Sequence, residues 1–237
     1  MQLRLLFYLV IASIFLVPAH SIAQESEEAQ EVVDSIYRED QFYLGVTYNL
    51  LFDRPSGVQL QGLSGGIQLG YMRDMPLNEQ RNLAVAIGAG VAFDQFGSNL
   101  FVGERADNTS IFRVLDDNDV TFNTNRLSTA TIEAPLEFRW RSSTATEYKF
   151  WRVYAGLRVG YVYWYKATFK QPGNTINQTD ISEFDRLRLG ATLSFGYSTF
   201  NFHAYYGINP FFENATTESG QPVDMKTLKL GIMFYIL

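Results

Sequence analysis

Cysteine is absent from the 237 residues, which excludes disulfides, thiolate catalysis and lipidation of a cysteine, although it does not by itself fix the compartment. Histidine occurs only at His20 and His203, too few for a histidine-rich metal centre. After the first 23 residues there is no long apolar run, so a helical membrane span of about 20 residues is excluded from the rest of the chain. Cations are outnumbered, 19 Lys and Arg against 25 Asp and Glu, and the net charge of −6 argues against a general nucleic-acid surface.

What is present begins with an export signal. Arg4 supplies a positive start, Leu5 to Val17 an apolar core, and Ser21-Ile22-Ala23 small residues for cleavage, so residues 1–23 are expected to be removed. Residues 24–40 are acidic and lack a sustained apolar face, and are expected to form a short periplasmic lead-in. Aromatic residues are abundant throughout, with 19 Phe, 14 Tyr and 3 Trp, and the remainder of the chain shows where they belong.

From residue 41 to residue 237 eight stretches alternate between apolar and polar or small residues, and no charge falls in the apolar register. Phe42, Leu44, Val46, Tyr48, Leu50 and Phe52 share one face of the first stretch. The fifth has Trp151, Val153, Ala155, Leu157, Val159, Tyr161, Tyr163 and Tyr165 against Arg152, Gly156, Arg158 and Gly160. A period of two is the strand period, so each stretch has one greasy and one polar face. The other six are read around Leu63 to Tyr71, Leu83 to Phe93, Ile132 to Arg141, Arg186 to Phe195, Asn201 to Tyr206 and Leu228 to Ile236.

Alternation alone fits a soluble barrel with its apolar face inside as well as a membrane barrel with that face outside. Two features favour the second. The polar face is rich in Gly and Ala, which suits the crowded interior of a narrow barrel. Aromatics also gather at strand ends, Trp140, Tyr148, Phe150 and Trp151 at one end and Tyr163 to Tyr165 at the other, as two interfacial girdles would. The expected fold is therefore all-β, an eight-stranded antiparallel transmembrane β-barrel of the outer-membrane type. Short connections at Asp74 to Asn82, Ser142 to Phe150 and Gly196 to Thr199 are assigned to the periplasm. Long ones at Asp94 to Arg126, Ala167 to Phe184 and Asn209 to Lys226 are assigned to the outside of a Gram-negative cell.

Glu133, Glu137, Arg139, Arg141, Arg152, Arg158, Arg186, Arg188 and Lys229 fall on the polar, inward face. Buried charges need partners, and an eight-stranded barrel is just wide enough for its own side chains to fill, so these residues are expected to form a structural lattice rather than a conducting path. Glu133 and Glu137 lie about 13 Å apart along a strand, beyond the roughly 5 to 9.5 Å of paired glycosidase carboxylates. His203 lies early in its stretch, toward the periplasmic end and away from the external rim that barrel lipid enzymes favour, and as a lone inward histidine it is read as a hydrogen-bonded interior group without chemistry. No catalytic residue, cofactor site or metal site is assigned. The run Asp116-Asp117-Asn118-Asp119 lacks calcium-loop spacing and is read as a solvated tip. Leu100 to Val102, Ile111 to Leu115 and Val120 to Phe122 are apolar for exposed loop, and are expected either to extend hairpins or to dock a partner.

Three strings add a resemblance: Tyr71-Met72-Arg73-Asp74-Met75-Pro76, then Glu133-Ala134-Pro135-Leu136-Glu137-Phe138-Arg139-Trp140-Arg141, then Glu147-Tyr148-Lys149-Phe150-Trp151-Arg152. With the barrel layout, they resemble the PorT (SprT) family of outer-membrane barrels of the type IX secretion system. The resemblance implies a non-enzymatic role in protein secretion, and in gliding motility where the system serves it. The implied partners are membrane lipid and other secretion-system proteins met through the external loops. A structural or small-solute porin-type barrel is the alternative, and a lipid-modifying outer-membrane enzyme a third.

Overall fold

The protein is described by a computed structural model at residues 40–105, 107, 109–116, 121–142 and 151–236. The expected signal peptide, the lead-in up to residue 39, the tip residues 117–119 and the connection through Tyr148 and Phe150 lie outside the described residues. The described residues hold eleven strands: β1 (Gln41–Phe52), β2 (Gly65–Pro76), β3 (Leu83–Gly97), β4 (Leu100–Glu104), β5 (Ser110–Val114), β6 (Thr124–Arg141), β7 (Trp151–Gln171), β8 (Asn174–Gln178), β9 (Leu187–Tyr197), β10 (Phe200–Gly207) and β11 (Lys226–Ile236).

Eight of them, β1, β2, β3, β6, β7, β9, β10 and β11, form a closed antiparallel barrel. Neighbours run β6-β3-β2-β1-β11-β10-β9-β7, and β7 pairs back onto β6. The first and last barrel strands close against each other from Phe42↔Ile236 to Phe52↔Lys226. Closure removes every free edge, so the backbone needs no water along the wall. The apolar register points out: Phe42, Ile67, Ile87, Leu136, Val159, Leu193 and Phe202 are all exposed. The polar and small register points in. There Gly90 and Gly190 matter individually, because a β-carbon at Gly90 would collide with the hydroxyl of Tyr43, two strands along the wall, and one at Gly190 with the ring of Tyr205 on the adjoining strand.

Strand limits differ from the sequence reading in one direction. Four barrel strands run further than the apolar alternation does: β2 to Pro76, β3 to Gly97, β6 back to Thr124 and β7 on to Gln171. Beyond the apolar band the outward residues no longer need to be greasy, so pairing continues where the hydropathy signal has stopped. Arg186, by contrast, precedes β9 and is only half-buried.

Tyr165 corrects the expected register of the fifth stretch. Across β6 and β7 the pairing steps from Thr131↔Val162 to Ala130↔Trp164, which leaves Tyr163 as an extra residue, a β-bulge. One inserted residue reverses the parity that follows. Tyr163 and Trp164 consequently both face outward, 47% and 45% exposed, whereas Tyr165 turns inward to 3%. From Trp151 to Tyr163 the strand rises about 40 Å, or about 30 Å along the axis at a tilt near 40°, which spans the hydrocarbon core between the two aromatic girdles.

The long connections are folded. β4 and β5 pair as a hairpin, and β8 folds back on the end of β7. Leu100, Val102, Phe112 and Leu115 are buried, and all but Leu115 share a core with Phe96, Phe184, Phe212 and Val223. The expected hairpin extension is thus found in β4–β5, with Leu100, Val102 and Phe112 inside a cap over the barrel mouth rather than exposed, while Val120 lies outside the described residues. Residues this apolar become loop interior when several connections are long enough to enclose them.

The outward register makes a direct test. Val159→Arg or Leu189→Arg, a cross-strand pair, places a charge on the lipid face at an expected cost of about 2 to 4 kcal/mol near the midplane. The measurement is refolding yield and urea midpoint followed by heat-dependent gel mobility. Wild-type values for both variants would mean that this face does not meet lipid.

Candidate functional site

The lumen is packed with charge. Buried within it are four acids, Asp74, Asp94, Glu133 and Glu137, together with Arg139, Arg141, Arg152, Arg158 and Lys229, and Arg188 at the mouth. Taking an ion out of water costs several kcal/mol even after relaxation, so such a lumen persists only if the charges meet. They do so in layers along the axis.

Nearest the chain termini, Asp74 gives one oxygen to Arg139 (Nη1 3.1 Å) and the other to Arg141 (Nη2 2.9 Å). Arg139 also reaches Glu137 through Nη2 at 3.1 Å and Gln41 through Nη1 at 3.2 Å, with its guanidinium over the Tyr154 ring at 4.6 Å. Arg141 Nε donates to the Arg81 carbonyl at 2.7 Å, tying the lattice to the β2–β3 turn. In the middle layer Arg158 Nη1 meets Glu133 at 3.0 Å and also bonds Gln68. Toward the mouth Lys229 Nζ meets Asp94 at 2.5 Å, and Asn49 Nδ2 donates to the other Asp94 oxygen at 3.0 Å.

Of the residues singled out in the sequence, Glu133, Glu137, Arg139, Arg141, Arg152, Arg158, Arg188 and Lys229 are buried on the inward face. Arg186 is not in the lattice. It donates to the Val162 carbonyl at 3.1 Å and covers Tyr165 at 5.0 Å, so it supports the bulge from the mouth. Glu133 and Glu137 bind different arginines and do not act as a pair. Asp74 and Asp94 were assigned to connections in the sequence reading, yet they are the acids that most arginine and lysine contacts converge on. Parity finds them: Asp74 continues the series Gly66, Gln68, Gly70, Met72, and Asp94 the series Ala84 to Ala92.

His203 has the neighbour that the sequence did not reveal. Ser194 Oγ lies 2.8 Å from its Nδ1, and Tyr235 OH lies 3.3 Å from the same Oγ. Both Ser194 and His203 are 2% exposed, and Nε2 of the ring has no hydrogen-bond partner. A serine and a base are therefore in contact, but sealed inside the wall and without a carboxylate on the second ring nitrogen. Among the described residues no group of three or more His, Asp or Glu is placed to hold a metal ion. Beside Glu133, Arg188 and Lys229 lies a cavity of about 20 Å3, room for about one water.

The cap is joined to β9 by Arg188, which donates to the carbonyls of Asp185, Pro210 (2.7 Å) and Phe211 (3.3 Å) and lies over the Phe211 ring at 4.8 Å. Above it the β4–β5 hairpin is held by the 217–221 turn. Glu218 N donates to the Phe112 carbonyl at 2.9 Å, and the Glu218 carboxylate meets Arg113 at 2.5 Å and Arg105 at 3.6 Å. The hydrogen bond from Arg113 holds that carboxyl below its ordinary value of 4.5.

The family model for the outer membrane protein beta-barrel domain matches residues 22–213. No curated protein matches the chain. Among solved structures it is similar to Ail, the attachment invasion locus protein of Yersinia pestis, in complex with the heparin analogue sucrose octasulfate. The identity is 18% and the TM-score 0.36, over 84% of this chain and 99% of that one.

Two outcomes are expected from this site. Asp74→Asn leaves Arg139 and Arg141 without their shared carboxylate and should destabilise the barrel by about 3 to 5 kcal/mol, read from urea unfolding in micelles. A loss under about 1 kcal/mol would show that the lattice re-pairs around it. In the cap, Glu218 carries the bridge when ionised. Its contribution is complete above pH 4.5 and fades as the pH falls through the lower folded value. Glu218→Gln at neutral pH, and the unaltered protein at pH below 4, should both show severalfold faster amide exchange in β4 and β5 while the barrel strands stay protected. Unchanged hairpin exchange in both would show that the bridge does not hold the cap.

Proposed function

The chain belongs to the outer membrane protein β-barrel domain family and resides in the outer membrane of a Gram-negative bacterium, and from that premise we propose that it serves type IX protein secretion as a non-enzymatic scaffold. The observation that carries the reading is that lumen and mouth are both filled: ion pairs pack the interior and a cored cap covers one end. A wall with no passage through it works by being held and by being touched. The resemblance to the PorT family supplies the system, and its most specific string contributes Glu133, Glu137, Arg139 and Arg141 to the lattice. On this reading the cap faces outward, the short turns face the periplasm, and partner proteins of the apparatus bind the cap's rigid outer surface.

A second reading has one observation in its favour, the 2.8 Å contact of Ser194 with His203, which a lipid-modifying enzyme would use as nucleophile and base. The two readings separate genetically. Deleting the gene should leave type IX cargo in the periplasm while other outer-membrane barrels insert normally, as seen by proteomics of medium and cell fractions. His203→Ala and Ser194→Ala should restore release. Replacing residues 100–114 by a tight turn should leave an inserted barrel that does not restore it. Normal cargo release in the deletion strain would end the secretion assignment and return the structural or small-solute barrel. Inactivity of the Ser194 and His203 variants alone would favour the enzyme.

A further inference from the structure

Above the loop-end girdle the outward register changes from apolar to cationic on one side of the barrel. On β7 the bulge sets Tyr163 and Trp164 side by side, and the outward parity then runs Lys166, Thr168, Lys170, with Thr168 buried and bonded to Asn177 of β8. On β6 the matching residues are Arg126 and Ser128. The pairs Ser128↔Lys166, Arg126↔Thr168 and Thr124↔Lys170 put Arg126 diagonal to both lysines, about 7 to 8 Å from each backbone to backbone and within reach of one ligand for side chains this long. Lys166 Nζ lies 6.0 Å over the Trp164 ring. Arg126 Nη1 donates to Gln95 at 3.1 Å, while its Nε is buried with no hydrogen-bond partner. Among the described residues none of these three cations forms an ion pair. On the opposite wall Lys226 does, to Asp53 at 3.0 Å.

We propose that this stripe binds the phosphate of a phosphorylated lipid in the adjoining leaflet, with Arg126 and Lys166 on the phosphate, Lys170 beside it, and the acyl chains along Tyr161 and Trp164. Height and charge both select that occupant. Lys166 sits two residues beyond Trp164, and Arg126, level with Thr168, sits four beyond it, which puts them about 5 and about 10 Å further along the axis, at and just above the lipid headgroups. A guanidinium beside an ammonium matches a phosphate dianion, with Arg supplying the directed fork and Lys a mobile point charge. The proposal does not depend on a role in secretion.

The test uses the protein purified from outer membranes, exchanged into phosphatidylcholine bicelles and titrated with diphosphorylated lipid A, with retained lipid read by native mass spectrometry. The Arg126→Gln, Lys166→Gln double variant should bind about thirtyfold more weakly. Lys226→Gln should bind as the unaltered protein does, and lipid A stripped of its phosphates should not be retained. Heat-dependent mobility checks folding. If the double variant does not fold, Lys166→Gln alone, at a rim position, should still lose about fivefold. Equal binding by the substituted stripe, equal retention of phosphate-free lipid A, or an equal loss from Lys226→Gln would each overturn the site.

Discussion

Asp74 divides its two carboxylate oxygens between Arg139 and Arg141 with no part of the three side chains open to solvent beyond about 1%, and the barrel is built around that constraint. Each of these ions alone would be untenable in the lumen; together they are obligatory to one another. Asp74 comes from β2 and both arginines from β6, with β3 between them, so the lattice staples non-adjacent strands across the interior. Arg139 reaches further, to Gln41 on β1 and to the ring of Tyr235 on β11 at 5.6 Å. The backbone ladder alone leaves the register between distant strands free to slip; the cross-lumen contacts remove that freedom.

Such a lattice also bears on the scaffold role proposed for the barrel. In eight strands the side chains just fill the interior, and here the filling is ionic and hydrogen-bonded. A solute path would need the Asp74, Glu133 and Asp94 layers to break in sequence, each at a cost of several kcal/mol. The Ser194–His203 pair is buried in the wall, both residues at 2% exposure. What remains available for interaction is the outside: the lipid-facing wall, the rims and the outer surface of the cap.

Much of this was legible from parity. A charge in the polar register of a narrow barrel has nowhere to go but inward, which is how Glu133, Arg158 and Lys229 could be placed from sequence. Asp74 and Asp94 were misplaced because strand ends were set where apolar residues stopped, while hydrogen bonding continues past the bilayer edge and carries the parity with it. Tyr165 was misplaced for a different reason. A bulge is a single backbone insertion with no residue signature in Tyr-Val-Tyr-Trp-Tyr, and only the pairing across β6 reveals it. The Ser194–His203 contact was invisible because it joins adjacent strands in register, His203↔Ser194, and that register depends on the turn at 198–199. Leu100, Val102 and Phe112 were legible as apolar but not as buried, since burial there requires Phe184, Phe212 and Val223 from two other connections.

The bulge ties the structural and interfacial readings together. Without it, Trp164 would face the lumen and Tyr165 the lipid, and Lys166 would turn inward. With it, Tyr165 stacks on Phe184 at 4.0 Å between ring centres and donates and accepts through its hydroxyl at Ile181, so the cap gains an anchor. The same one-residue shift turns Trp164, Lys166 and Lys170 outward beside Arg126. A single inserted residue at Tyr163 thus both seats the cap and sets the cations on the wall at headgroup height, and these two consequences cannot be separated by any change that restores the regular ladder.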